Sequence, residues 1–403
     1  MSRVVVQKYG GSSVADIEKI QNVARHVVNT ARQGYGVVVV VSAMGKTTDV
    51  LMQLAKQIDP EPARRELDML LTVGERVSMS LLSIAVNKMG QEAISFTGSQ
   101  SGIITTDSHS NARIIEVRPF RIQDELARGK IVIVAGYQGT SYSREITTLG
   151  RGGSDTTAVA LAAALDAERT EIYSDVDGVY TADPRIVPEA FRLEEVDLDQ
   201  MMHLSKFGAK VMAADAMEYA RKKNIAVFAK STKTPDSPGT IIRKNPATDD
   251  RLFTAVAGKK DVVYVQFTET ARGSGPGFLS CMSAAGSESV MPFMSHVCLQ
   301  GARGATFLYS MENFHDLGSF KRRVADGFAG VVDVRTDIGT VTLVGAGIAE
   351  DPGTHTRIAA FLEEHSGLIH QVFFAPLSVT MLVSVSDVDH LVKDTHDLFL
   401  KRG

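Results

Sequence analysis

Short apolar runs alternate with longer segments of helical periodicity through the first half of this chain, and no other feature restricts the possible folds as strongly. The apolar runs are rich in Val and Ile and cover residues 4–6, 37–41, 131–135 and 171–173. The segments with helical periodicity cover residues 15–33, 61–89 and 155–167. Strands that alternate with helices in this way predict an α/β domain with a mainly parallel sheet.

The composition changes near residues 231–252, where Ser, Thr, Lys, Pro, Asp and Gly follow one another. Breaker-rich polar stretches of this kind are typical of domain boundaries. Beyond it, 262–310 and 340–400 share a rhythm of strand, Pro-Gly turn, helix and strand, with turns at Pro276-Gly277 and Pro352-Gly353. We expect a pair of small α+β units there, and one irregular α+β domain is the alternative.

Composition excludes several classes of protein. The 403 residues are 44% hydrophobic, carry a formal net charge of −4 and contain no long basic run, which is globular composition without the footprint of a nucleic-acid-binding protein. The longest purely aliphatic run, 37–41, is far shorter than the roughly 20 apolar residues of a membrane helix. Cys281 and Cys298 are too few for a disulfide framework and lack zinc-site spacing. With no signal-peptide pattern either, we expect a cytoplasmic protein that binds small molecules and no membrane or metal of its own.

The first candidate motif is the sequence VVVQKYGGSS at residues 4–13, an apolar strand that runs directly into Lys8, two glycines and two hydroxyls. Paired glycines let a backbone approach an anion, and Lys8 can neutralise charge on a transferring phosphoryl group. The spacing matches neither the P-loop nor the Rossmann fingerprint. A strand-to-helix turn in which Ser caps the next helix is the alternative, and the motif alone does not decide.

The second motif, TTLGRGGSDTT at residues 147–157, opens an Ala-rich helix. A Gly-rich loop at a helix start offers free N–H groups and the positive end of the helix dipole to an anion. Arg151 can grip a carboxylate through two parallel hydrogen bonds, and Asp155 can bind an ammonium or hold a lysine in position. Capping by Ser154 or Asp155 is the alternative, but it leaves an arginine among three glycines unexplained, so we favour a binding site.

The third motif, EIYSDVDGVYTADPR at residues 171–185, is an apolar strand that ends in an acidic loop. Ligands of open α/β sheets bind at the carboxyl ends of strands. Acidic groups there suit ribose hydroxyls or Mg²⁺-bound water, and Arg185 suits phosphate. Taken by itself, however, the motif favours a solvated turn held by Asp-Gly and Asp-Pro. Residues 41–49 and 71–76 also place polar groups after apolar runs; substrate contact, a helix cap and a surface ion pair are all open for them.

The histidines are scattered, and no Ser/His/Asp or Cys/His arrangement can be read from their spacing, so covalent nucleophilic catalysis has no support. We interpret them as ordinary surface or core residues: His26, His109, His203 and His296.

Together the three motifs resemble those of the monofunctional aspartate kinases of the amino acid kinase family, and the likeness covers nearly all of residues 1–230. The resemblance implies an amino-acid-kinase α/β/α sandwich over 1–245. It also implies transfer of the γ-phosphoryl group of ATP, with Mg²⁺ carried on the nucleotide, to the side-chain carboxylate of L-aspartate. That carboxylate is already ionised, so the reaction needs positioning and charge neutralisation but no general base.

The resemblance further implies roles for single residues. Lys8 would stabilise the transferring phosphates, and Asp155 would orient Lys8 and the substrate. Arg151 would bind the α-carboxylate of aspartate, and Glu75 its ammonium. The rest of the implied aspartate pocket consists of Ser42, Thr48, Gly152, Gly153 and Ser154. Besides Lys8, the implied ATP site consists of Tyr9, Gly10, Gly11, Ser174, Asp175, Tyr180, Thr181, Ala182, Asp183, Pro184, Arg185 and Lys210.

Residues 253–330 and 335–403 resemble the tandem ACT units through which such enzymes sense lysine and threonine. The resemblance makes Gln300 and Asp351 the candidate effector-binding residues and implies a homo-oligomer formed through these units. The usual acidic turn is replaced by residues 271–275, ARGSG, and Gly301 stands where Asn commonly follows Gln300. We therefore expect weakened or altered feedback inhibition.

Other amino acid kinases, which act on glutamate, acetylglutamate or nucleotide monophosphates, are the nearest alternatives, but they typically lack the tandem sensing units and the GRGGSDTT loop. A non-catalytic ligand-sensing paralogue is the alternative outside the enzymes. Retention of the charged candidates argues against it: Lys8, Glu75, Arg151, Asp155 and Asp175. An enzyme of a specialised pathway that uses aspartyl phosphate stays open.

Overall fold

The computed structural model describes residues 3–150, 152–209, 211–246, 251–268, 292–298, 304–314, 316–327 and 332–401. The chain forms two compact units. The first comprises Met1–Tyr180, Arg192–Ser205 and Lys210–Asp249, and the second comprises Thr181–Phe191, Lys206–Ala209 and Asp250–Gly403. The acidic loop of the third motif is therefore divided between the two units after Tyr180. The predicted division at 1–245, 253–330 and 335–403 stays a prediction.

An eight-stranded sheet forms the middle layer of the first unit. In spatial order its strands are β10 (Glu195–Asp197), β12 (Thr240–Arg243), β11 (Val227–Ser231), β9 (Arg169–Ser174), β1 (Val4–Tyr9), β2 (Gly36–Val41), β6 (Ile131–Ala135) and β3 (Ala93–Phe96). All neighbours are parallel except β11 and β12. The central strands are covered on both faces, which is why they read as continuous apolar runs.

Helices cover both faces of this sheet. Helices α1 (Ile17–Arg32) and α4 (Val73–Lys88) share a core with Val39 on one face. Helices α5 (Phe120–Ala127) and α6 (Gly153–Ala164) share a core with Val38 on the other. Four further described helices are α2 (Thr47–Ile58), α3 (Arg64–Leu71), α7 (Leu198–Lys206) and α8 (Ala214–Lys223). The predicted α/β/α sandwich with a mainly parallel sheet is confirmed.

The helical stretch Arg64–Lys88, which contains α3 and α4, is long and apolar enough to cross a membrane by length and composition alone. Half of its apolar window is buried inside the structure, and Leu82 and Val86 belong to the core beneath the sheet. Core helices pass the same test, so this stretch is weak evidence for a membrane span.

A smaller sheet of four short strands lies beside the large one in the first unit, and the sequence interpretation did not predict it. Its spatial order is β5 (Ile114–Val117), β4 (Ile103–Thr105), β7 (Gln138–Ser141) and β8 (Ile146–Thr148). Strand β8 leads directly into the Gly-rich loop before α6, so this sheet supports one wall of the candidate site.

The second unit contains two antiparallel four-stranded sheets, in agreement with the predicted α+β character. One has the order β13 (Ala255–Lys259), β18 (Ile338–Val344), β20 (Ser378–Ser384) and β19 (Ile369–Ala375). The other has the order β15 (Met294–Cys298), β16 (Gly304–Ser310), β14 (Val262–Thr268) and β17 (Val332–Arg335). The described helices are α9 (Leu317–Gly327), α10 (Gly347–Glu350), α11 (Pro352–Glu364) and α12 (Val388–Phe399).

The strands of the two sheets are interleaved in sequence. Strand β13 precedes β14 but pairs with β18, and β17 follows helix α9 and pairs back with β14. The prediction of two consecutive copies therefore gives the types of element in this unit, but it does not give which strands pair with one another. Several features that the sequence interpretation assigned to this part of the chain lie outside the described residues: residues 271–275, Pro276-Gly277, Cys281, Gln300 and Gly301.

Candidate functional site

The site is built where neighbouring parallel strands of the large sheet end. Strands β1, β2, β6 and β9 run in the same direction, so their carboxyl ends meet at one edge. Gly10 follows β1, Ser42 follows β2, Gly136 follows β6 and Asp175 follows β9. This is the edge at which ligands of open α/β sheets bind.

A buried ion pair occupies the middle of this edge. The Lys8 ammonium on β1 lies 2.6 Å from a carboxylate oxygen of Asp155 in the first turn of α6, and their side chains are only 11% and 10% exposed. The other Asp155 oxygen accepts a hydrogen bond from the Ala213 N–H at 3.2 Å. The helix begins after Gly152, whose φ of +69° is left-handed, and none of the described side chains caps it. The capping role that was the alternative for Asp155 and Ser154 is therefore wrong.

Of the two glycines after β1, close packing requires Gly11. The Gly10 N–H donates to the Tyr173 carbonyl at 3.2 Å, so in this structure it is directed at the protein backbone and not at an anion. A Cβ on Gly11 would lie 2.8 Å from the Ala43 carbonyl oxygen. The next helix, α1, is capped by Asp16, which accepts from the Lys19 N–H at 2.9 Å. A serine cap, the alternative for this motif, is therefore wrong.

Glu75 lies in the first turn of α4 and is buried, with 3% of its surface exposed. One carboxylate oxygen accepts from the Ala43 N–H at 3.1 Å, and the other has no hydrogen-bond partner within the described parts of the chain. Burial raises the pKa of Glu75 to about 7, against the hydrogen bonds from its own backbone and from Ala43, which act to lower it. The surface ion pair that was one alternative for this residue is wrong.

Three further candidates for the aspartate pocket belong to the described residues. The Ser42 N–H donates to the Tyr9 carbonyl at 3.1 Å, which fixes the end of β2 against β1. Ser154 is buried in α6, and its hydroxyl oxygen would lie only 2.6 Å from a Cβ on Gly136. Thr48 is half-buried in the first turn of α2. Arg151 lies outside the described residues.

The nucleotide candidates are divided between the two units. Ser174, Asp175 and Tyr180 belong to the first, where the Tyr180 hydroxyl donates to Asp177 at 2.9 Å. The residues Thr181, Ala182, Asp183, Pro184 and Arg185 belong to the second unit. There Thr181 and Ala182 are buried, and the Arg185 guanidinium lies 2.6 Å from the Asp183 carboxylate. Lys210 lies outside the described residues.

The Tyr9 side chain points away from the edge into the core beneath the sheet. Its ring stacks on that of Tyr173 with centroids 4.9 Å apart, and its hydroxyl lies 2.5 Å from Nδ1 of His26. Burial, followed by the neighbouring Tyr173 and Glu171, holds the pKa of Tyr9 well above its usual value. Only the backbone of Tyr9 lies at the edge. His26 is thus a partner of the motif, although its spacing gave no sign of this.

Sequence interpretation missed the carboxyl end of β11, which lies at the same edge. The Thr232 N–H and hydroxyl both donate to the Ser174 carbonyl, at 3.0 and 3.2 Å, and its hydroxyl lies 2.5 Å from that of Ser13. The signal was present, because Val227 to Ala229 are apolar and hydroxyl residues follow, as in the other motifs. The polar, breaker-rich composition that begins at Ser231 concealed it.

The effector candidate Asp351 has a structural role in the second unit. It caps α11, accepting from the Thr354 N–H and hydroxyl, each at 2.7 Å, and these hydrogen bonds hold its pKa below the usual value. Whether it also binds an effector stays a prediction, as it does for Gln300, which lies outside the described residues.

Comparison with known proteins adds a likeness over the whole chain. The sequence profile of the amino acid kinase family matches residues 3–231. The chain is 42% identical to the aspartokinase of Mycolicibacterium smegmatis over 98% of its length and 96% of that protein, and 38% identical to aspartokinase 2 of Bacillus subtilis over 98% and 97%. E. coli aspartokinase III solved with aspartate and ADP has the same fold, with a TM-score of 0.84, 23% identity and 99% and 100% coverage. Another structure of that enzyme contains lysine and aspartate.

Proposed function

Since this chain belongs to the amino acid kinase family and, within it, to the aspartokinases, we propose that the edge of its large sheet binds L-aspartate beside ATP. The protein is an aspartate kinase. It transfers the γ-phosphoryl group of ATP to the side-chain carboxylate of L-aspartate, giving ADP and 4-phospho-L-aspartate. This is the first step in the synthesis of lysine, threonine and methionine.

In the transfer, an oxygen of the substrate carboxylate bonds to the γ-phosphorus while the bond to the β–γ bridging oxygen breaks and ADP leaves. No proton has to be removed from the nucleophile. Mg²⁺ carried on the nucleotide would share the neutralisation of phosphate charge. The role of Lys8 is to supply a fixed positive charge to the oxygens of the β- and γ-phosphates.

The buried pair of Lys8 and Asp155 is the observation that carries this assignment. A lysine side chain is flexible in water, so fixing its ammonium in one place costs conformational entropy. In this protein the ammonium is already fixed in the folded state, because it is paired with a carboxylate on a rigid helix turn. Asp155 also binds the Ala213 N–H, so its carboxylate is held from two sides. A cation positioned in advance needs no rearrangement when charge develops.

Glu75 is proposed to bind the substrate ammonium. Its support is the buried carboxylate oxygen without a partner in the described residues, which is costly unless a ligand satisfies it. Arg151, Ser42, Thr48 and the Gly152 to Ser154 turn are proposed to complete the aspartate pocket. The ATP site is proposed to comprise the backbone of residues 9–11 and the candidates of residues 174–185 with Lys210.

The decisive experiment is a hydroxamate assay with ATP, Mg²⁺ and aspartate, run beside glutamate. We expect aspartyl hydroxamate from the wild type and a loss of kcat of about 10²–10³ for Lys8→Ala, because the charge at the transferring group is gone. The matched control is Lys19→Ala, which removes a surface lysine paired with Asp16 at 3.3 Å and should leave kcat unchanged. Absence of product from the wild type refutes the function, and equal kcat in both variants refutes the role of Lys8.

Regulation by lysine, threonine or both is proposed for the second unit, together with homo-oligomer formation and a cytoplasmic location. The likeness to an enzyme solved with lysine supports an amino acid effector. Because the turn at residues 271–275 and Gly301 depart from the usual pattern, we expect weakened or altered inhibition by lysine plus threonine. The half-inhibition concentrations of lysine and threonine would be measured beside those of the Bacillus subtilis relative, and equal values would contradict this expectation.

A further inference from the structure

Another buried carboxylate in the first unit, Asp68, has no part in the proposed function so far. It lies in α3 and is fully buried. Its two oxygens accept hydrogen bonds from the Ser110 N–H at 3.0 and 3.1 Å, the Thr148 N–H at 3.1 Å and the Thr148 hydroxyl at 2.7 Å. Nδ1 of His109 lies 2.9 Å away. A buried carboxylate with this many donors is a fixed junction, because each lone pair already has a partner.

Asp68 joins the residue at the end of β8, just before the Gly-rich loop, to a second segment that packs against this loop. Thr148 is the last residue of β8, two residues before Gly150. Ser110 has a left-handed φ of +67°. A Cβ on Gly150 would lie 3.0 Å from the Asn111 side-chain oxygen and 3.6 Å from the Ser110 carbonyl. Asp68 therefore fixes the residues just before the loop and the segment against which the loop rests.

The same helical stretch carries Asp68 and Glu75. The two residues are seven positions apart, which is close to two helical turns, so they lie on one side of the helix about 10 Å apart. Thr72, between α3 and α4, keeps nearly helical dihedral angles of −63° and −13°. One rigid segment therefore fixes both the proposed ammonium acceptor and the start of the loop proposed to bind the substrate α-carboxylate.

We propose that Asp68 is a positioning residue that sets the affinity of the enzyme for aspartate without touching it. This inference rests on the proposed function, since it assigns the loop from Gly150 to Ser154 to the substrate carboxylate. A carboxylate is needed because it only accepts hydrogen bonds. In Asp68→Asn, an amide NH₂ would face the N–H groups of Ser110 or Thr148, and the loop would have to move.

The test compares Asp68→Asn with a matched pair of neighbours, Thr148→Val and Thr147→Val. Both threonines are fully buried in the small sheet. The Thr148 hydroxyl binds Asp68, whereas that of Thr147 lies 2.5 Å from the Thr105 hydroxyl. Steady-state KM for aspartate and for ATP would be measured, with the dissociation constant of aspartate from calorimetry without ATP as a second reading.

We expect KM and the dissociation constant for aspartate to rise roughly tenfold or more in Asp68→Asn and several-fold in Thr148→Val, with KM for ATP within about twofold of the wild type. Thr147→Val should stay within about twofold for both substrates. Equal effects of the two threonine variants, or equal changes in both KM values, would overturn the inference. If Asp68→Asn does not fold, Thr148→Val decides in the same way. A wild type without aspartate kinase activity refutes the proposed function itself, whereas an active wild type with an unchanged Thr148→Val refutes only this inference.

Discussion

Replacing Glu75 by Gln removes a carboxylate that the fold keeps away from water. Burial raises its pKa from 4.5 to about 7, even though the N–H groups of Glu75 and Ala43 act in the opposite direction. The free energy that corresponds to this change is about 3 kcal/mol, at roughly 1.4 kcal/mol for each pH unit. Above neutral pH the protein therefore carries an ionised group that opposes its own folding.

The direction in which stability changes with pH follows from proton binding by Glu75. Between pH 4.5 and about 7 the folded protein holds the Glu75 proton more tightly than the unfolded chain does. The stability that this proton provides is complete below the unfolded pKa and is lost as the pH rises through the folded pKa. Gln resembles the protonated side chain at every pH. The gain in free energy of unfolding from Glu75→Gln should therefore grow from about 1 kcal/mol near pH 5 to about 3 kcal/mol near pH 8.

Urea unfolding followed by far-ultraviolet circular dichroism at the two pH values measures this difference. Glu171→Gln is the matched control, because Glu171 is also a buried glutamate of the first unit. Burial acts to raise the pKa of Glu171, but hydrogen bonds from Arg169 and Gln7, both at 2.8 Å, outweigh it and leave the pKa lowered. Its stabilising effect is present above the unfolded pKa, so Glu171→Gln should destabilise the protein near pH 8.

The same substitution should weaken substrate binding, because an ammonium pairs with the ionised carboxylate only. In the wild type, the affinity for aspartate should rise as the pH increases through about 7, and binding should release protons in calorimetry. Both effects should be absent from Glu75→Gln. A gain in stability that is equal at both pH values would refute the reasoning, as would a stability change of the same sign in both glutamate variants near pH 8.

Two further substitutions test the packing of the edge. Gly136→Ala would place its Cβ 2.6 Å from the Ser154 hydroxyl oxygen. We expect kcat/KM for aspartate to fall by up to about 10² in a folded protein. The control is Gly367→Ala, whose Cβ would meet no atom of the described residues within 4 Å and should leave kcat/KM unchanged. Normal kinetics of the first variant would contradict the placement of Ser154 in the pocket. Thr232→Val removes a hydroxyl that donates to the carbonyl of Ser174, a candidate of the ATP site, at 3.2 Å. Steady-state kinetics should show KM for ATP raised about two- to fivefold and KM for aspartate unchanged. A raised KM for aspartate with an unchanged KM for ATP would contradict the position of the end of β11 beside the ATP site.

The sequence was sufficient to predict the fold where strands are buried on both faces of the sheet. Strands such as β2 and β6 are covered on both faces, and their unbroken apolar runs predicted the parallel sheet. The parallel sheet could be inferred from local composition, which a single sequence contains. The pairing of Asp155 with Lys8 was implied by the family resemblance, and the 2.6 Å contact agrees with it.

The sequence was insufficient where a contact depends on distant residues. Spacing could not exclude a surface position for Glu75, because the neighbours that cover that side of α4 come from other parts of the chain. Asp68 binds groups 42 and 80 residues away. The small sheet was missed because its strands have only three or four residues each, too few to show a period. Strand β11 was missed because the composition after it is that of a loop.

The position of residues 181–191 in the second unit bears on how this enzyme can be recombined with its relatives. Ala182 and Val187 belong to a core that includes Phe253 and Val256, and the Val256 N–H donates to the Thr181 carbonyl at 2.8 Å. A fragment cut near residue 250 would leave those side chains without cover. A chimaera that exchanges the second unit therefore has to take residues 181–191 from the donor gene as well as the C-terminal half, because the side chains of the internal segment are part of the same core.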